Sequence, residues 1–174
     1  VCDTRDLSQR EDELRQTLLE MIRAADQDPR IDLGLADDEI VVDFNEMMLD
    51  AVIQPDSRAD TSYAILTIKT AVTADDAFDA ATGRITAFIE DANLAGRSEI
   101  VRMGDWNLTL VGPEISRDTL LGMISADSAR TAHMFGDDFD VEINGLQLPV
   151  SWYRTGLLDV ALFIPYEMRI SASP

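Results

Sequence analysis

The sequence predicts an α+β protein, a two-layer sandwich whose antiparallel sheet carries about three helices on one face. Three observations predict it. Three stretches repeat apolar residues at three- and four-residue spacing, which gives a helix a single apolar stripe. Shorter stretches between them alternate apolar and polar residues, the period of a half-buried strand. Turn-forming residues separate consecutive strands closely enough for hairpins, which are antiparallel. Helices with one apolar face need a sheet face to cover it.

The first helix is predicted from Ser8 and Glu11, which have capping-box spacing. Leu14, Leu18, Met21, Ile22 and Ala25 form its stripe, and Asp28-Pro29 ends it. Ile40, Val42 and Phe44 alternate as a strand, expected to continue through residues 45–53. A polar loop at 54–60 leads to a strand at 63–72. The second helix has Thr73 as its cap and Asp75 and Asp76 at its positive dipole end. Its stripe is Phe78, Ala81, Ile85, Phe88, Ile89 and Ala92, before Asn93 and Gly96 stop it.

Residues 99–103 and 106–111 read as two strands joined through Gly104-Asp105, with Trp106, Leu108 and Leu110 on the core face. The third helix starts at Ser116 and turns Leu120, Leu121 and Ile124 inward, but loses its stripe between Asp127 and Met134. Phe139, Val141 and Ile143 alternate up to Asn144-Gly145, the strongest hairpin dipeptide, and residues 146–152 are expected to return beside them. A last strand at 157–164 ends at Pro165. The order is a helix and two strands, three times, with one extra strand and no residue-level repeat.

At 174 residues the chain suits one domain, read as residues 8–174 behind a short polar tether at 1–7. Hydrophobic residues make up 46% and charged residues 27%, a globular composition. The formal charge of -19 repels phosphate backbones and anionic membrane surfaces, which excludes nucleic acid as the expected partner. The acidity suits plain solubility or adaptation to salt. Lys69 is the only lysine among 14 basic residues, a skew that suits a GC-rich genome. No stretch approaches the roughly 20 apolar residues that span a bilayer; residues 157–164 are strand-sized and interrupted by Asp159.

Enzyme signatures are sparse. With His133 the only histidine and Cys2 the only cysteine, one chain cannot build a Cys/His zinc set. No nucleophile elbow, phosphate-cradling loop or dinucleotide-binding turn occurs. His133 is expected at a helix C-terminus, where a histidine interacts with the last carbonyls. The acids Asp137, Asp138 and Asp140 are a candidate calcium set, but they lack the twelve-residue loop, and Asp140 and Glu142 fit the solvent face of a strand. No cofactor is expected. Trp152, Tyr153 and Arg154 are the candidate ligand-binding residues: neighbours along a strand point to opposite faces, so at least one aromatic is expected outside.

The chain opens Val1-Cys2-Asp3-Thr4 without a methionine, from which removal of an N-terminal segment is expected. Cys2, the polar residues after it and the arginine-rich acidic composition resemble the small lipoproteins of actinobacteria, although that pattern has a small residue where this chain has Val1. The resemblance implies a lipid on Cys2, membrane contact only through that lipid, and a domain on the outer face of the cell membrane. The leading expectation is therefore a cell-envelope lipoprotein with a non-catalytic domain that binds a small ligand or a protein. The alternatives are a hydrolase using a carboxylate pair and a cytosolic, salt-adapted interaction domain.

Overall fold

Helix α1, Leu7–Gln27, is capped by Asp6 and not by Ser8: the Asp6 carboxylate accepts the Gln9 N–H at 2.9 Å. Asp6 and Gln9 repeat the spacing of Ser8 and Glu11 two residues earlier, so both pairs satisfy the same sequence rule. The computed structural model describes residues 1–37, 40–136 and 138–172. Within it the chain falls into two compact units, Val1–Trp106 and Asn107–Pro174.

In the first unit, α1 buries Leu14, Leu18, Met21 and Ile22. Strand β1, Ile31–Asp37, pairs antiparallel with β2, Ile40–Asp43, and its other edge pairs with β5, Thr67–Thr70. Ile31 and Leu33 of β1 are buried, and Leu18, Met21, Ile22, Leu33, Phe44 and Leu49 form one core cluster. Each such side chain stabilises the fold by about 1.5–3 kcal/mol relative to exposure. Residues 45–53 do not extend the strand. They form a 3-10 turn, Glu46–Met48, and the short helix α2, Leu49–Val52, because Asn45 accepts the Met47 N–H at 3.0 Å and caps the turn.

The expected strand at 63–72 is split. Strand β4, Ser62–Tyr63, makes a small hairpin with β3, Gln54–Pro55, while Thr67–Thr70 goes to β1. Helix α3, Phe78–Glu90, buries Ala81 and Ile85 as its stripe requires. Thr73 lies outside it: its N–H and hydroxyl both donate to Asp76, at 2.8 and 3.0 Å. The expected strands at 99–103 and 106–111 are absent from the ladders. Ser98 bridges Cys2, Ile100 packs on the core cluster, and half-buried Trp106 faces the Arg102 guanidinium, 4.2 Å from its ring centre.

In the second unit a 3-10 turn, Pro113–Ser116, leads into α4, Arg117–Phe135, which continues unbroken past the point where its stripe fades. The hairpin expected at Asn144-Gly145 does not form. Strand β6, Phe139–Asn144, pairs instead with β9, Glu167–Ala172, and β7, Ser151–Arg154, pairs with β8, Val160–Phe163. The Arg117 guanidinium donates to the carbonyls of Leu146 and Leu148, Glu114 accepts the Val150 N–H at 2.8 Å, and Pro149 has no N–H to offer a ladder. Side chains of the preceding turn and helix thus take the polar groups a hairpin needs. Ile124, Val150 and Ile164 form the buried centre of this unit. The α+β class holds. Its strands are distributed, among the described residues, over one three-stranded and three two-stranded antiparallel sheets.

Candidate functional site

The hairpin of β7 and β8 separates the expected ligand-binding residues by parity. Trp152 pairs with Leu162 and Tyr153 with Ala161. The face of Trp152 is that of buried Val150 and Ile164, so Trp152 sits at the rim of the core, 36% exposed. Tyr153 turns the other way and is 58% exposed. Phe163, paired with Ser151, lies diagonally across from Tyr153 on that face and is 40% exposed; the two ring centres are 5.9 Å apart and tilted by 60°. That geometry is a favourable edge-on aromatic contact.

Arg154 does not join the pair. Its guanidinium donates to the carbonyls of Gly156 and Leu157, both at 2.7 Å, and so closes the turn between the strands. The site is therefore two outward aromatics on a hairpin whose inner face is anchored on Val150 and Ile164. Phe163 escaped the sequence reading because strand parity is not useful until the register is known.

No protein-family model, no curated protein and no solved structure matches the chain.

Cys2 is 1% exposed. Its N–H donates to the Ser62 carbonyl at 2.9 Å and its carbonyl accepts the Ser62 N–H at 3.0 Å, while Val1 and Glu99 exchange backbone bonds beside them. Residues 1–4 are thus docked against the first unit and do not hang free as a tether. Arg10, itself buried, holds them there by donating to the Thr4 carbonyl at 2.7 Å and the Ser62 hydroxyl at 2.9 Å. The Cys2 thiol points at Glu13, 3.2 Å from Oε2. A lipid on Sγ requires residues 1–4 to leave both bridges.

The Glu13 carboxylate accepts from the Thr4 hydroxyl at 2.6 Å, the Arg97 N–H at 3.1 Å, the Cys2 thiol and the Gln9 amide, which lower its pKa to about 2. Asp76 is lowered by Arg84 and then by Thr73, Asp28 by Arg30, and Asp56 by Arg58. Donors hold these four in the charged form, so none of them can serve as a general acid near neutral pH.

Of the calcium candidates, Asp137 lies outside the described residues, Asp138 is in a turn, and Asp140 is exposed on β6 opposite Ser171. No group of three or more His, Cys, Asp or Glu able to hold a metal ion occurs among the described residues. His133 lies exposed in the last turn of α4, as the helix-end reading expects. No helix among the described residues is long and apolar enough to cross a membrane.

Proposed function

We propose that the chain is a non-catalytic binding protein that engages a small ligand or a protein through the outer face of the β7–β8 hairpin. The single observation that carries this reading is the Tyr153–Phe163 pair, two rings in contact with each other and open to solvent on a sheet anchored from behind. Exposed aromatics supply large contact area at little conformational cost, the property expected of a recognition face. The reading stands without a lipid on Cys2; mass spectrometry of the protein from a native membrane fraction decides that separate proposal.

An NMR titration with a panel of oligosaccharides and unstructured peptides tests the binding reading. We expect at least one panel member to shift the resonances of Tyr153, Ala161 and Phe163, and Tyr153→Ala to abolish those shifts while the α4 resonances stay dispersed. A ligand whose shifts fall elsewhere and survive Tyr153→Ala would overturn the assignment.

A further inference from the structure

Strand β2 ends at Asp43, opposite Gly34 of β1, so the first residues of β1 lack a β2 partner on that edge. The end of α1 closes over this gap and leaves an open cleft of about 320 Å³. Its floor is apolar, with Ile22 and Ala25 from α1 and Phe44 from the chain after β2; its polar lining is Asp26, Asp32 and Asp43. Ile22 and Phe44 are buried, whereas all three carboxylates are exposed.

Among the described residues, one cation pairs with them. Lys69, opposite Asp32 on β5, passes over Gly34 and donates to Asp43 at 3.1 Å; a β-carbon at Gly34 would lie 3.7 Å from Lys69 Cε. Asp26 and Asp32 have no cationic partner among the described residues. An apolar floor beneath carboxylates matches a flexible aliphatic stem ending in a positive charge, because such side chains lay the stem on apolar surface and keep the head in a polar setting. The cleft is open on one side, so it cannot enclose most of a small molecule, as dedicated small-ligand pockets do. Its occupant has to be held from outside as well.

We infer that this cleft is a second binding site, independent of the aromatic hairpin, and that it receives an arginine or lysine side chain presented by a basic polypeptide partner. The strongly acidic surface of the chain steers such a partner toward it.

The test uses the full chain, acetyl-tetraarginine amide as the probe, and NMR at 150 mM salt. The peptide is expected to shift the resonances of Ile22, Ala25, Ile31 and Phe44. The double variant Asp26→Asn/Asp32→Asn should weaken binding roughly fivefold or more, the size expected for loss of exposed charge pairs. Asp118→Asn/Asp159→Asn, which removes the same charge from the other unit, should leave it within a factor of two. A peptide of arginine analogues with one methylene in the stem should bind more weakly than tetraarginine, since it cannot span the floor. Equal binding of the short-stem peptide, or equal loss in both double variants, would reduce the site to diffuse attraction and overturn the inference. Butylguanidinium binding as tightly as the peptide would also overturn it, in favour of a free amine-like ligand.

Discussion

Glu13 gathers donors from segments far apart in the chain: Thr4 and Cys2 before the helix, Gln9 within it and the Arg97 N–H from the loop after α3. Its folded pKa of about 2 lies below the ordinary 4.5, so its charged form contributes stability that is present above about pH 4.5 and lost as pH falls toward 2. Glu13→Gln keeps an acceptor but removes the charge. The gap in urea midpoint between wild type and this variant should therefore narrow between pH 7 and pH 3; a constant gap would show that the charge is not what the donors recognise. Gly96 shares the node. Its φ of 57° is left-handed, and a β-carbon there would strike the Glu13 carboxylate. Gly96→Ala should cost about 1–3 kcal/mol in urea unfolding, from backbone strain alone or with the displaced carboxylate. Cys2, behind the same node, should react with a thiol reagent only when the unit opens, so its labelling rate in native buffer should be a small fraction of that in urea. Rapid native labelling would mean that residues 1–4 undock readily, the condition a lipid anchor needs.

At the scale of the elements, Arg117 ties α4 to the loop after β6: it donates to the carbonyls of Leu146 and Leu148 and pairs with Glu114, which in turn accepts the Val150 N–H. Arg117→Ala leaves that loop without its donors and should lower stability by about 1–3 kcal/mol, with Arg117→Lys recovering only part because a point ammonium cannot fork to both carbonyls. Full recovery by lysine in urea denaturation would assign the effect to charge alone. This loop also explains where the sequence misled. Asn144-Gly145 looks like a hairpin turn, but the polar groups beyond it are taken by Arg117 and Glu114, residues almost thirty positions or more away, which no local pattern reports. Helices were legible because a 3.6-residue stripe is local: α1 and α3 stand where their stripes lie, and α4 starts on its stripe and runs beyond it. Strand partners were not. Ile31, Leu33 and Leu35 alternate apolar as clearly as Ile40, Val42 and Phe44, and Met168 and Ile170 alternate within β9, yet β1 binds β5 and β6 binds β9 across long intervals. At the candidate site the same limit applied. The strand expected at 146–152 overlaps β7 only at Ser151 and Trp152, and the outward partner Phe163 and the turn-closing role of Arg154 depend on register.

At the level of the whole molecule, attraction and repulsion between charges compete. The ion pairs are mainly exposed, as with Arg15–Asp50 and Lys69–Asp43, and such pairs contribute only about 0–1 kcal/mol each. Arg84–Asp76 is the more protected pair, and Arg84 adds bonds to the Thr70 hydroxyl at 3.1 Å and the Ala71 carbonyl at 2.7 Å, so salt weakens it little. Against these stands a formal charge of -19, from 33 acidic residues and 14 basic ones. Salt at about 1 M shortens the screening length to about 3 Å, which removes repulsion between carboxylates spread over the surface before it removes contacts at hydrogen-bond distance. Repulsion is therefore the larger loss. The thermal midpoint should rise between 20 mM and 1 M sodium chloride by at least about 3 °C, the shift that roughly 1 kcal/mol produces in a chain of this size. Sodium chloride is the informative salt, since sulfate would stabilise through exclusion from the surface whatever the charge. A midpoint that falls would mean that the exposed pairs outweigh the repulsion, and a flat response would mean that the folded chain spaces its carboxylates too widely to oppose one another.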